Sequence, residues 1–151
     1  MDDTIYMNIG MSFTNPSPEE ISRLFRETHS IAIVGLPPNV ARSSFQVAKR
    51  LQSKGYRIIP VRPIIESVLG EQAFPDLENL PELPDIVDVF RAPKFVPDLV
   101  DSCINLGVQK LWLQDGIIHE EAAQRVHNAG ITVVMNRCMW RDAHLLEVLA
   151  P

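Results

Sequence analysis

Five short, continuous apolar runs stand between Ser30 and Cys138: SIAIVG from Ser30, YRIIPVRP from Tyr56, DIVDVF from Asp85, KLWLQDG from Lys110 and ITVVMNRC from Ile131. Runs of this kind, apolar without strict alternation, describe strands covered on both faces, and such strands belong to parallel sheets wrapped in helices. Parallel neighbours need long crossovers, and crossovers are right-handed. The pattern therefore predicts an α/β fold: a doubly wound, Rossmann-like parallel sheet of five strands, order about 3-2-1-4-5, with helices on both faces.

The segments between the runs fit that plan with one exception. SPEEISRLFRE opens on Ser17 as N-cap, with Pro18 in the first turn, Glu20 completing a capping box, and Ile21, Leu24 and Phe25 at helical spacing. SFQVAKRLQSKG, KFVPDLVDSCINLG and HEEAAQRVHNAG read as helices that end at Gly55, Gly107 and Gly130. The exception is IIESVLGEQAFPDLENLPELP, from Ile64 to Pro84, whose prolines leave room for a helical turn around Leu77 to Leu80 and otherwise describe a loop crossing an edge. Residues 1–15 show no period and are read as a flexible arm, residues 16–151 as a single domain. The tail HLLEVLAP is apolar enough to cover the domain or a neighbouring chain, whether a second copy or a protein partner.

A chain of 151 residues suits one domain, and a formal net charge of -5 argues against nucleic acid or an anionic membrane as partner. No run of roughly 18 apolar residues and no signal-peptide pattern occurs. The two cysteines, Cys103 and Cys138, lie far apart in sequence and fit a reducing cytoplasm better than a disulfide framework. His119 and His127 have no metal-ligand spacing; His119 reads as a helix start, and no metal is expected.

In doubly wound sheets ligands bind beyond the C-terminal strand ends. That rule selects Gly35 to Ser44, Val61 to Ile64, Phe90 to Pro93, Gln114 to Ile117 and Asn136 to Cys138. Gly35 permits a tight turn against a ligand, Ser43 and Ser44 stand at the start of the next helix among unpaired N–H groups, and Arg42 adds a cationic fork suited to phosphate. Ser44 reads equally as a plain N-cap. At the end of the second strand, where an acid would grip the ribose of NAD, the chain has Arg62, which suits a ribose carrying an extra phosphate, as in NADP or coenzyme A; on position alone it is equally a surface arginine between two prolines. Trp112 and Cys103 read as core, Arg91 as a strand-end charge favouring a ligand role. Cys138, beside the basic Arg137, is either an activated thiol or a half-buried apolar filler.

The stretches IAIVGLPPNVARSSFQVAKRLQSKGYRIIPVRP, LGEQAFPDLENLP, DIVDVFRAP, LWLQDGI and GITVVMNRC, in this order over most of Ser30 to Cys138, resemble the small CoA-binding domain proteins, relatives of the N-terminal domain of the succinyl-CoA synthetase alpha subunit. The resemblance implies that Gly35, Pro38, Asn39, Arg42, Ser43 and Ser44 hold the pyrophosphate and the adjoining part of the adenosine, that Val61 and Arg62 flank adenine and ribose, and that Phe90, Arg91, Gln114 and Gly116 line the pantetheine side, with Cys138 nearby. Arg62 replaces an asparagine common in that family. The implied function is binding of CoA or an acyl-CoA by a non-catalytic module: the phosphorylated histidine of the synthetases lies in a further domain, and no catalytic constellation replaces it here. Two other readings stand beside it, an NADP-dependent oxidoreductase and CoA-linked thiol redox chemistry at Cys138.

Overall fold

The computed structural model describes residues 13–36 and 41–149, the last three by their backbone alone. Helix α1 (Pro18–Glu27) starts as its sequence directs, with Ser17 Oγ accepting a hydrogen bond from Glu20 N at 3.2 Å, Pro18 in the first turn and two glutamates facing the helix dipole. It leads into β1 (Ser30–Val34), followed by α2 (Ser43–Ser53) and β2 (Arg57–Val61). Next come a small hairpin, β3 (Ser67–Val68) and β4 (Glu71–Gln72), a 3-10 turn at Leu77–Asn79, and β5 (Ile86–Val89). The chain closes with α3 (Val96–Leu106), β6 (Lys110–Leu113), α4 (Glu120–Asn128), β7 (Thr132–Met135) and α5 (Met139–Leu149).

The five long strands form one parallel sheet in the order β2-β1-β5-β6-β7. Counted by long strands this is 2-1-3-4-5, not the expected 3-2-1-4-5: DIVDVF pairs with β1, not β2. The reason lies at the outer edge of β2. The connection itself occupies that edge, with Phe74 N donating to Pro60 O at 3.0 Å and Arg62 N donating to Phe74 O at 2.8 Å. Pro60, which has no N–H to give, is tolerated because its strand is an edge strand. The chain then crosses back over β1, and Leu77 packs on the way.

Each face of the sheet buries an aliphatic layer. Ile31, Ile33, Ile58, Ile86, Trp112 and Val134 meet Ile21 and Leu24 of α1, Phe45 and Leu51 of α2, and Met139 and Ala143 of α5. Val34, Val61, Val89, Leu113 and Met135 meet Val96, Val100 and Cys103 of α3 and Ala122, Ala123 and Val126 of α4 on the other face. Trp112 is fully buried, as its alternation with Leu111 and Leu113 implies, and its Nε1 donates to Arg137 O at 2.7 Å. One residue breaks the apolar pattern: Asp88, in the middle of β5, is fully buried, and its carboxyl holds the only buried side-chain oxygens without a hydrogen-bond partner among the described residues.

The end of the segment read as an arm is tied down. Asn15 bonds the edge strand through both ends of its amide, Nδ2 donating to Met135 O at 2.9 Å and Oδ1 accepting from Met135 N at 2.7 Å. A side-chain amide thus stands in for a strand neighbour, and Phe13 packs beside His127. The rest of the segment read as an arm, residues 1–12, lies outside the described residues.

Candidate functional site

The sheet reverses its winding between β1 and β5: from β1 the chain moves outward to β2, from β5 it moves the other way to β6 and β7. Crevices at such reversals are where open α/β sheets bind ligands. Two loops meet here. Gly35 N continues the ladder by donating to Val61 O at 2.9 Å, and Phe90 N does the same toward Val34 O at 2.9 Å. Gly35 has φ +92°, and a Cβ placed on it would lie 3.0 Å from Phe90 O and 3.1 Å from Arg91 Cδ. Only glycine allows both the left-handed turn and this close approach.

The two loops and the start of α2 enclose a cleft of about 870 Å³. Of the residues singled out from sequence, Gly35, Arg42, Ser43, Ser44, Arg62, Phe90 and Arg91 line it together, joined by Ala41, Pro63, Ile64 and Ala92. Arg42 holds the N-cap position of α2 without a side-chain cap bond, so Ser44, buried to 8% exposure, is the second residue of the helix and not its cap. Three arginines therefore border one cleft, and among the described residues none has a carboxylate partner within a salt-bridge distance. Arg91 is steadied from one side, its guanidinium carbon 4.1 Å from the Phe95 ring centre. In a chain of net charge -5 this is a local concentration of positive charge at helix α2's start, where the helix dipole adds to it.

Pro63 and Arg91 also border a second, smaller cavity of about 230 Å³ between the 3-10 turn and α3. Its walls are apolar, from Val34, Val61, Leu77 and Leu99, and its rim carries Asp76, Glu78 and Asp98. Val61 therefore faces this chamber and not the cationic cleft.

Other expected residues are used elsewhere. Gln114 is buried, and its Oε1 accepts from Met139 N at 2.9 Å, so it caps α5. Gly116 N donates to Asn136 Oδ1 at 2.8 Å. Cys138 packs half-buried against the α1, α2 and α5 layer, and the neighbouring Arg137 grips Asp142 through Nε and Nη2 at 2.5 and 2.9 Å. Arg141 clasps Asp115 in the same way, at 3.0 Å for both bonds. The loops after β6 and β7 are thus locked onto α5, and none of Gln114, Gly116 and Cys138 lines the cleft. Pro38 and Asn39 lie outside the described residues. His119 opens α4 as expected, its Nδ1 accepting from Ala122 N at 3.1 Å. Burial, with Glu78 adding to it, pushes the Cys103 thiol up to about 12, as suits a core position.

Sequence reasoning gave no particular role to the Ile64 side chain and did not single out Asp88. Asp88 carried a signal, since a carboxylate inside a run buried on both faces breaks the pattern. Ile64 fell within the selected segment Val61 to Ile64, but its left-handed backbone carried no signal, because such a turn at a β-branched residue contradicts local preference.

Comparison with known proteins bears on the family and the fold. The CoA binding domain family matches residues 29–143. The uncharacterized protein YneT of Bacillus subtilis is 37% identical over 125 residues, covering 83% of this chain and 93% of that protein. A hypothetical protein from Pyrococcus horikoshii superposes with a TM-score of 0.83 at 33% identity, over 91% of this chain and 99% of that one. A more distant match joins 53% of this chain to 12% of an ADP-forming acetate–CoA ligase of Archaeoglobus fulgidus, at 24% identity. With the family's model covering β1 through the first turn of α5, the chain belongs to the CoA binding domain family.

Proposed function

We propose that the protein binds coenzyme A or an acyl-CoA through its adenosine and pyrophosphate portion and acts as a binding module, not a catalyst. The observation that carries this reading is the set of three arginines, none with a carboxylate partner among the described residues, around one cleft at the reversal of the sheet. A nucleotide with a pyrophosphate and a further ribose phosphate presents several negative charges spread along a chain, and three separated guanidinium groups are complementary to that spread. Arg42, Ser43 and Ser44 suit the pyrophosphate, which sits at a helix N-terminus in this class of sheet. Arg62, at the end of β2, suits the ribose phosphate. Phe90 and Arg91 lie on the side toward which the pantetheine would leave.

Among the described residues the cleft lining offers cations, hydroxyls and apolar surface, and no imidazole, thiol or carboxylate. The sequence of the intervening segment, Pro37 to Val40, adds none. Such a lining can hold a charged ligand but supplies no group of ordinary basicity to move a proton. No helix among the described residues is long and apolar enough to cross a membrane. Both cysteines are unpaired, which suits the cytoplasm.

A thermal-shift panel of CoA, acetyl-CoA, NADP and NAD tests the reading. A ligand present at 100 times its dissociation constant stabilises the fold by about 2.7 kcal/mol, and CoA or acetyl-CoA is expected to give the largest shift. A shift with NADP and none with CoA would refute it and favour the oxidoreductase reading. Arg42→Ala is expected to weaken CoA binding about tenfold or more and to flatten its salt dependence, while the unliganded protein melts as before.

A further inference from the structure

Ile64 is a β-branched residue with φ +69°, and the residue is 102% exposed. Each of these is unfavourable: the left-handed region crowds a branched side chain, and a large aliphatic group left in water forgoes its burial. The turn has a use in the fold, since it lets the next residue, Ile65, pack against the layer formed by α1, α2 and α5. A glycine would make that turn without strain. The isoleucine side chain itself joins neither core cluster. What it does line is the arginine cleft, beside Arg62 and behind the rigid Pro63. Strained residues of this kind persist where the side chain serves a site and not the scaffold.

We propose that the Ile64 side chain is the apolar shelf on which the purine base of the bound nucleotide rests; this builds on the CoA-binding reading above. The end of β2 is where the adenosine half of a dinucleotide-like ligand lies in such sheets. In a cleft rich in cations and hydroxyls, selecting a base and not merely phosphates takes an apolar contact, and at the end of β2 the exposed Ile64 extends the apolar surface begun by Pro63. Ile64 supplies it, two residues from the arginine assigned to the ribose phosphate.

The test compares wild type with Ile64→Gly, Ile64→Asn and Ile64→Leu by calorimetric titration with CoA and with 3′,5′-ADP, which carries the base and two phosphates without pantetheine. Glycine and asparagine accept a left-handed backbone, so both variants should melt higher than wild type when unliganded. Both should bind CoA and 3′,5′-ADP more weakly, by about tenfold and by the same factor for each ligand. Ile64→Leu should retain most of the affinity. Unchanged affinity in the glycine and asparagine variants would overturn the proposal, as would a loss confined to CoA, which would move Ile64 to the pantetheine. If wild type binds neither ligand, it is the CoA reading itself that fails.

Discussion

Replacing Asp88 should make this protein more stable, and should do so in a pH-dependent way. Asp88 lies between Ile33 of β1 and Trp112 of β6 in the sheet, fully buried, with neither carboxyl oxygen hydrogen-bonded. Burial pushes its pKa well above the ordinary carboxylate range. An acid whose folded pKa is raised stabilises nothing by ionising. The folded state must hold it neutral, or charged at greater cost, while the unfolded chain ionises it freely at about pH 3.9. Its contribution is therefore most favourable below that pH and declines as pH rises toward the folded titration point, by up to about 1.4 kcal/mol per pH unit. Asp88→Asn keeps the shape but cannot ionise, so this decline should vanish from its stability profile. Asp88→Val removes the unpaired oxygens as well and places a branched, strand-favouring side chain with one heavy atom fewer; a gain of about 1–3 kcal/mol at neutral pH is expected. Urea unfolding at pH 5 and pH 8, with m-values checked for equality, measures both effects. Wild-type and Asp88→Asn profiles that run parallel, or an Asp88→Val protein less stable than wild type at both pH values, would show that the carboxyl is partnered in solution and refute the prediction.

Three further outcomes follow from the same geometry. Gly35→Ala should cost about 1–3 kcal/mol in thermal or urea unfolding and lower CoA affinity, because the added Cβ meets Phe90 O at 3.0 Å in a backbone conformation that alanine disfavours. Asn15→Ala should cost about 1–2 kcal/mol and speed hydrogen exchange at the Met135 amide, since it removes both bonds that close the β7 edge. Iodoacetamide at pH 8 should leave Cys103 unmodified in the folded protein, with its thiol buried and pushed up to about 12, and should modify it once urea unfolds the chain; mass mapping of the two cysteines reads this directly.

The strands were legible because burial on both faces leaves a compositional trace that survives without knowledge of neighbours: Ile31 to Val34 and Leu111 to Leu113 are fully apolar and fully enclosed. The strand order was not legible, because it turns on Phe74 taking the free edge of Pro60, two backbone bonds with no periodic signature. The site divides along the same line. Gly35, Arg42, Arg62 and Arg91 could be picked out because they stand at ends of β1, β2 and β5 or at the start of α2, where topology alone decides what faces the crevice. Gln114 and Gly116 also stand past a strand end, yet they are held by Met139 and Asn136, and α5 lies largely beyond the stretches that carry the family resemblance. A strand end is open to a ligand only if nothing in the chain returns to it. In this fold the return is asymmetric: α5 seals the ends of β6 and β7 with Gln114, Asp115, Arg137 and Asp142, leaving the ends of β1, β2 and β5 to face the cleft. That asymmetry puts the three arginines that lack a carboxylate partner among the described residues on the same side, and it predicts that substitutions in the α5 clasp change stability and leave binding intact, while those at Arg42 and Ile64 change binding.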